Sequence, residues 1–148
     1  MGRSTVDVTM TIREMARTDV VTADPETTTR EISRLLEEEN VGSVIVTEDQ
    51  EPVGIVTDRD LALDVIGEGK NSATIAAADV MTEDLFTVEP GESIYDVLAG
   101  MRERGVRRVP VVEDGKLAGI VTLDDFIVLL TSELENVSGV VQAGISEY

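Results

Sequence analysis

Gly54-Ile55-Val56-Thr57-Asp58-Arg59-Asp60 and Gly119-Ile120-Val121-Thr122-Leu123-Asp124-Asp125 share one pattern, Gly-Ile-Val-Thr-x-x-Asp, written twice 65 positions apart. Sliding the chain by that interval lays residues 20–61 on residues 85–126 without a gap, and thirteen of the 42 pairs are identical. Chance pairing in an acidic, Val-rich chain does not reach that level. The chain is a duplication, and this constrains the fold before any local propensity does.

Each copy reads the same way outward from its phrase. An extended piece (Val20-Val21-Thr22; Leu85-Phe86-Thr87-Val88) runs up to Pro25 or Pro90. A helix then opens with capping-box spacing, Thr28 with Glu31 and Ser93 with Asp96. Ile32, Leu35 and Leu36, and in the second copy Ile94, Val97, Leu98 and Met101, form its apolar stripe. Two β-rich runs follow, joined by polar turns, of which Asp114-Gly115 carries the hairpin signature. A second helix leaves from Asp58 or Asp124. The order is β-α-β-β-α per copy, which predicts a mixed α/β (α+β) fold.

Lead-in stretches precede both copies, at Ile12–Met15 and at Ile75–Met81, and residues 67–72 read as a linker. The division expected is 1–72 for the first repeat with its lead-in and linker, and 73–148 for the second with a helical extension. One copy of about sixty residues buries too little surface to stand alone. The two are therefore expected to pack sheet to sheet about a pseudo-twofold axis. Phe126, Leu130, Leu134, Val137 and Val141 continue the last helix as an apolar stripe that needs a surface to cover it. Leu61, Val65, Ile66, Phe126 and Leu130 exceed what one small core covers, which predicts a homodimer.

Composition narrows the chemistry. The 148 residues hold no Cys and no His, which removes thiol catalysis, Ser-His pairs, disulfides and the usual zinc or iron ligands. No metal site and no catalytic cofactor is expected. Thirty acidic residues against twelve basic ones give a net charge of −18, a surface that repels nucleic acid and anionic membrane. The cations are nearly all Arg, with Lys70 and Lys116 the two lysines. An acidic, Lys-poor surface fits a halophilic cytosol, where salt screens self-repulsion; a merely acidic mesophile protein is the plainer reading. The first residues lack a signal-peptide apolar run and no segment reaches the ~20 apolar residues of a membrane span, so a cytoplasmic location is expected.

The repeated phrase delivers Thr and Asp to a strand-to-helix junction, where free backbone N–H groups and the helix dipole favour a phosphate. Thr57 and Thr122 can donate a hydroxyl to phosphate or ribose. Asp60 and Asp125 can accept both hydroxyls of a ribose diol. The same residues also make good helix caps, and for either copy alone capping explains them.

With these residues in hand, the chain resembles a tandem pair of CBS domains, the module named after cystathionine β-synthase. The marks are the two Gly-Ile-Val-Thr-x-x-Asp ends, Asp79-Val80-Met81 before the second copy, and Val109-Pro110-Val111-Val112 in its middle, over roughly residues 10–130. The resemblance implies two clefts between the copies that take adenosine-containing ligands such as AMP, ADP, ATP or S-adenosylmethionine. It also implies a regulator of some partner protein in place of a catalyst, and a dimer. By position, one cleft combines Thr22, Val41 and Gly42 with Ile120, Thr122 and Asp125. The other combines Thr87, Val106 and Arg107 with Ile55, Thr57 and Asp60. Plain core packing accounts equally well for Val41, Val106, Ile55 and Ile120.

The copies differ where Arg107-Arg108 replaces Gly42-Ser43. Arginine there can hold a phosphate through two donors, or merely offset nearby carboxylates. Ile45 stands where the second copy has Pro110, and Asp124 adds negative charge beside Asp125, so the clefts are expected to be unequal. Two other classes compete with the sensor: an interaction module with vestigial clefts, and an acid/base enzyme working through paired carboxylates. The enzyme lacks an imidazole and aromatic surface to hold a substrate.

Overall fold

In a computed structural model, residues 10–147 are described, with side chains through residue 144. The duplication is realised to the residue. Helices α1 (Thr29–Glu39) and α4 (Ile94–Arg104) occupy corresponding positions. So do strands β2 (Ser43–Glu48) and β4 (Arg108–Glu113), and strands β3 (Glu51–Thr57) and β5 (Lys116–Thr122). Both antiparallel ladders share one register, and each slips at the same place, between Val46 and Thr47 and between Val111 and Val112. Strand burial patterns also match position by position.

Local chemistry explains the elements. Thr28 caps α1 by accepting from the Glu31 amide at 3.2 Å, whereas Ser93 accepts from the Tyr95 amide at 3.1 Å in place of the expected third position. Both hairpin turns use two positive-φ residues, Asp114 and Gly115 in one and Asp49 and Gln50 in the other. The first copy completes its sheet with β1 (Thr22–Ala23), parallel to β2. The second copy keeps only a single bridge there, Val88 to Val111. After β3 the chain turns into α2 (Asp58–Leu61), which loosens into a π turn over Ala62–Ile66. After β5 it runs straight into α5 (Leu123–Glu147).

The lead-in stretches cross over. Ile12 is fully buried with Val88, Val97, Val109 and Phe126 in the core of the second copy. Its amide donates to Glu92 O at 2.9 Å, and Arg13 pairs with Glu113 at 3.2 Å. Reciprocally, α3 (Ala77–Val80) buries Ala77 with Ile32, Val44 and Val56 in the core of the first copy. Ala77 N donates to Thr27 O at 2.7 Å. A cut between residues 72 and 73 would therefore separate each core from a segment that it contains.

The hairpins of the two halves touch where Leu117 N donates to Gln50 O at 2.8 Å. The symmetry-related bond cannot form, because position 52 is proline and has no amide hydrogen. Of the residues expected to exceed one core, Leu61, Val65 and Phe126 are buried within the chain, while Ile66 and Leu130 stay exposed.

Candidate functional site

Both repeated phrases end in the same closed junction. Thr57 N donates to Asp60 Oδ2 at 2.8 Å and Asp60 N donates to Thr57 Oγ1 at 3.2 Å. Thr122 and Asp125 repeat this at 2.9 and 3.3 Å. The first helical amides are also engaged: Asp58 N donates to Gly42 O at 3.1 Å, and Leu123 N to Arg107 O at 2.8 Å. Capping is thus present at both copies. It corrects the expectation of free amides, because two of the N-terminal donors at each junction already have carbonyl or hydroxyl partners. Each Thr hydroxyl accepts from the helix and keeps its own proton to donate elsewhere.

The two carboxylates then diverge. Arg17 sits where the first lead-in lies along the edge of β5, trading backbone bonds with Ile120 at 3.0 and 2.9 Å. Gly119 permits that approach, since a Cβ there would come within 2.7 Å of Arg17 O. From this position Arg17 donates to Asp125 Oδ1 from Nε at 3.0 Å and from Nη2 at 2.7 Å. The equivalent residue beside Ile55 is Thr82, which carries no charge. Among the described residues Asp60 forms no ion pair. The sequence reading missed Arg17, and nothing within either repeat signals it, because the lead-in reaches the site only by crossing to the other half.

A cleft of about 610 Å³ opens between the halves. It gathers Val41, Gly42, Ile120 and Thr122 from the first expected set together with Arg108, and it also takes Arg107, which the sequence assigned to the second. Thr22 and Asp125 flank this cleft without lining it: Val20 and Val21 line it beside Thr22, and Asp125 is held behind Arg17. Thr87, Val106, Ile55, Thr57 and Asp60 are not drawn into it. Val106 packs against the second core, and Ile55 is bridged by Thr82.

Four arginines (Arg17, Arg59, Arg107, Arg108) line the cleft with Asp19, Glu39, Asp58 and Asp124, so its formal charge balances inside a chain of net −18. The Arg108 guanidinium lies over Gly42, where a Cβ would come within 2.8 Å of Nη2. Although acidic residues abound, Arg59, Arg107 and Arg108 form no ion pair among the described residues. Three unpaired guanidinium groups around one hollow are suited to a multiply charged anion.

Comparison with known proteins agrees with this architecture. The family model for the CBS domain matches residues 6–67 and 77–132. "Uncharacterized protein MK0525" of Methanopyrus kandleri is 42% identical over 120 residues, covering 80% of this chain and 61% of that protein. The CBS domain-containing protein YhcV of Bacillus subtilis is 33% identical over 117 residues, covering 79% of this chain and 83% of its own. In three dimensions the chain superimposes on the CBS domain pair of protein MJ0100, solved with 5'-methylthioadenosine and S-adenosyl-L-methionine, with a TM-score of 0.75. That overlay has 23% identity and covers 84% of this chain and 98% of that one, a likeness of fold. No helix among the described residues is long and apolar enough to cross a membrane. The doubled phrase, the exchanged lead-ins and the matched family model together place the chain in the CBS-domain family.

Proposed function

We propose that this chain is a regulatory CBS pair that binds an adenosine-containing ligand in the cleft between its halves and passes its occupancy to a partner protein. The observation carrying this reading is the set of three unpaired arginines at the cleft lined by Ile120 and Thr122. Val41 and Ile120 supply apolar walls for a base, Asp125 faces the ribose once Arg17 lets go, and Arg107 and Arg108 take phosphate. AMP, ADP and ATP fit this charge. S-adenosylmethionine, which MJ0100 binds, carries a cationic sulfonium that the guanidinium groups oppose. The second cleft, with Thr87, Val106, Ile55, Thr57 and Asp60, is the weaker one in this reading, since Arg107, expected there by position, lines the first cleft instead.

The chain acts as a homodimer in a cytosol of high salt, with no catalytic step of its own. Its charge also argues against nucleic acid or anionic membrane as the partner. A thermal-shift series with adenosine, AMP, ADP, ATP and S-adenosylmethionine tests the reading, because a ligand bound only by the folded chain must raise the midpoint. A rise graded with phosphate count supports it. No rise with any of the five leaves the second reading, an interaction module with vestigial clefts, favoured by the exposed apolar face of α5.

A further inference from the structure

From Leu130 to Ala143 every residue of α5 is exposed, yet the stretch is apolar along one side. Phe126 is buried in the chain's own core, so the free seam begins at Ile127. Ile127, Leu130, Leu134, Val137, Val141 and Gly144 follow one another at steps of three, four, three, four and three. That is heptad a/d spacing, whose period of 3.5 keeps one seam turned toward a companion helix. Leu134 and Val137, in the middle of the seam, are 69% and 60% exposed. The segment is also a poor helix former by itself, with Gly139, Gly144 and exposed Val128, Val137, Val140 and Val141.

We infer that the C-terminal part of α5 pairs, parallel and in register, with α5 of a second copy of this chain. Charge selects that occupant. Two copies at net −18 repel over most of their surfaces and can approach only where carboxylates are scarce. Between residues 127 and 144 the acidic residues are Glu133 and Glu135, and Glu135 lies off the seam. A basic partner would find no row of acids to bind here. Glu133 holds the flanking g position, and in a parallel pair it faces Ser138 of the second copy, whose hydroxyl can donate to it. An antiparallel pair centred on the seam would set Glu133 near Val140 instead. The inference rests on the homodimer proposed above but not on the ligand reading, because no residue of this seam lines the cleft.

The chain has no cysteine, so single cysteines report directly on the pairing. In the full-length protein in molar KCl, Leu130→Cys and Val137→Cys, oxidised separately, should each give disulfide-linked dimers, while Ser132→Cys on the outer face should not. An antiparallel pair can place at most one of the first two opposite itself, so cross-linking of only one, or of neither, overturns the inference. Light scattering supplies the second arm. Leu134→Glu/Val137→Glu changes two exposed positions and should raise the dimer dissociation constant at least about tenfold with the melting of the two cores retained. An unchanged dimer, or a wild-type chain that is monomeric at tens of micromolar, also overturns it.

Discussion

Arg17 binds Asp125 through two donors on a single carboxylate oxygen, across 108 residues of sequence. The second oxygen of that carboxylate accepts from Thr122 N, so both oxygens already have partners. To accept both hydroxyls of a ribose diol, Asp125 must release the guanidinium, which is itself well exposed and free to turn toward the cleft. Arg17→Ala should tighten adenosine by roughly two- to fivefold, the worth of a partly exposed ion pair. It should weaken ADP, whose phosphates lose a donor. Calorimetry with both ligands reads the two signs; a change in the same direction for both would dismiss the displacement.

Asp60 and Asp125 share the capping role but differ in their surroundings. Either Asp→Ala change should cost about 0.5–2 kcal/mol of stability through the lost cap. Only Asp125→Ala should also weaken adenylate binding in the main cleft, by roughly ten- to a hundredfold, the range for a lost hydrogen bond to a charged group. Equal binding by wild type and the Asp125 variant would reduce that residue to a cap.

Gly42 leaves the space into which Arg108 folds. Gly42→Val should push the guanidinium away and lower affinity for ADP while leaving adenosine nearly unchanged, since the base walls do not move. Chemical-shift or calorimetric titration of both ligands checks this. Equal loss of both would mean that the substitution closed the cleft instead.

The exchanged lead-in makes a stability forecast. Ile12 lies outside the first repeat's core yet is fully buried, so Ile12→Ala should destabilise the chain by about 2–5 kcal/mol. The effect should fall on the second half: hydrogen exchange should quicken in α4, β4 and β5 before α1 and β2. Quickening confined to the first half would contradict the crossover.

Salt should stabilise the fold. With net −18 on one small chain, raising salt toward 1 M shrinks the Debye length to ~3 Å and removes most self-repulsion. The denaturation midpoint is expected to climb steeply over that range. A flat response would argue against the high-salt reading.

The repeat of Gly54–Asp60 at Gly119–Asp125 was enough to derive the order of elements in the halves, their common register and the helix start at Thr28, because those depend on contacts within a few residues or across one hairpin; Ser93 took the Tyr95 amide in place of the Asp96 amide that its spacing predicted. Val44, Val46, Val109 and Val111 alternate or run together as strands must, and they are buried as that pattern requires. Hydrophobic periodicity and cap chemistry are local, so they can be read from residue order alone.

The tertiary structure alone decided which half each lead-in joins, and with it the site. Ile12 is followed in sequence by the first repeat, but its apolar surface is buried in the core of the second, with Val97 and Phe126. That exchange carries Arg17 to Asp125 and leaves Thr82 beside Ile55, adding an electrostatic difference to two junctions that share their Thr and Asp. Arg107 likewise turned into the cleft from which its repeat position had excluded it. Burial and charge pairing depend on what is close in space, and a duplicated sequence is symmetric only until its ends must choose a partner.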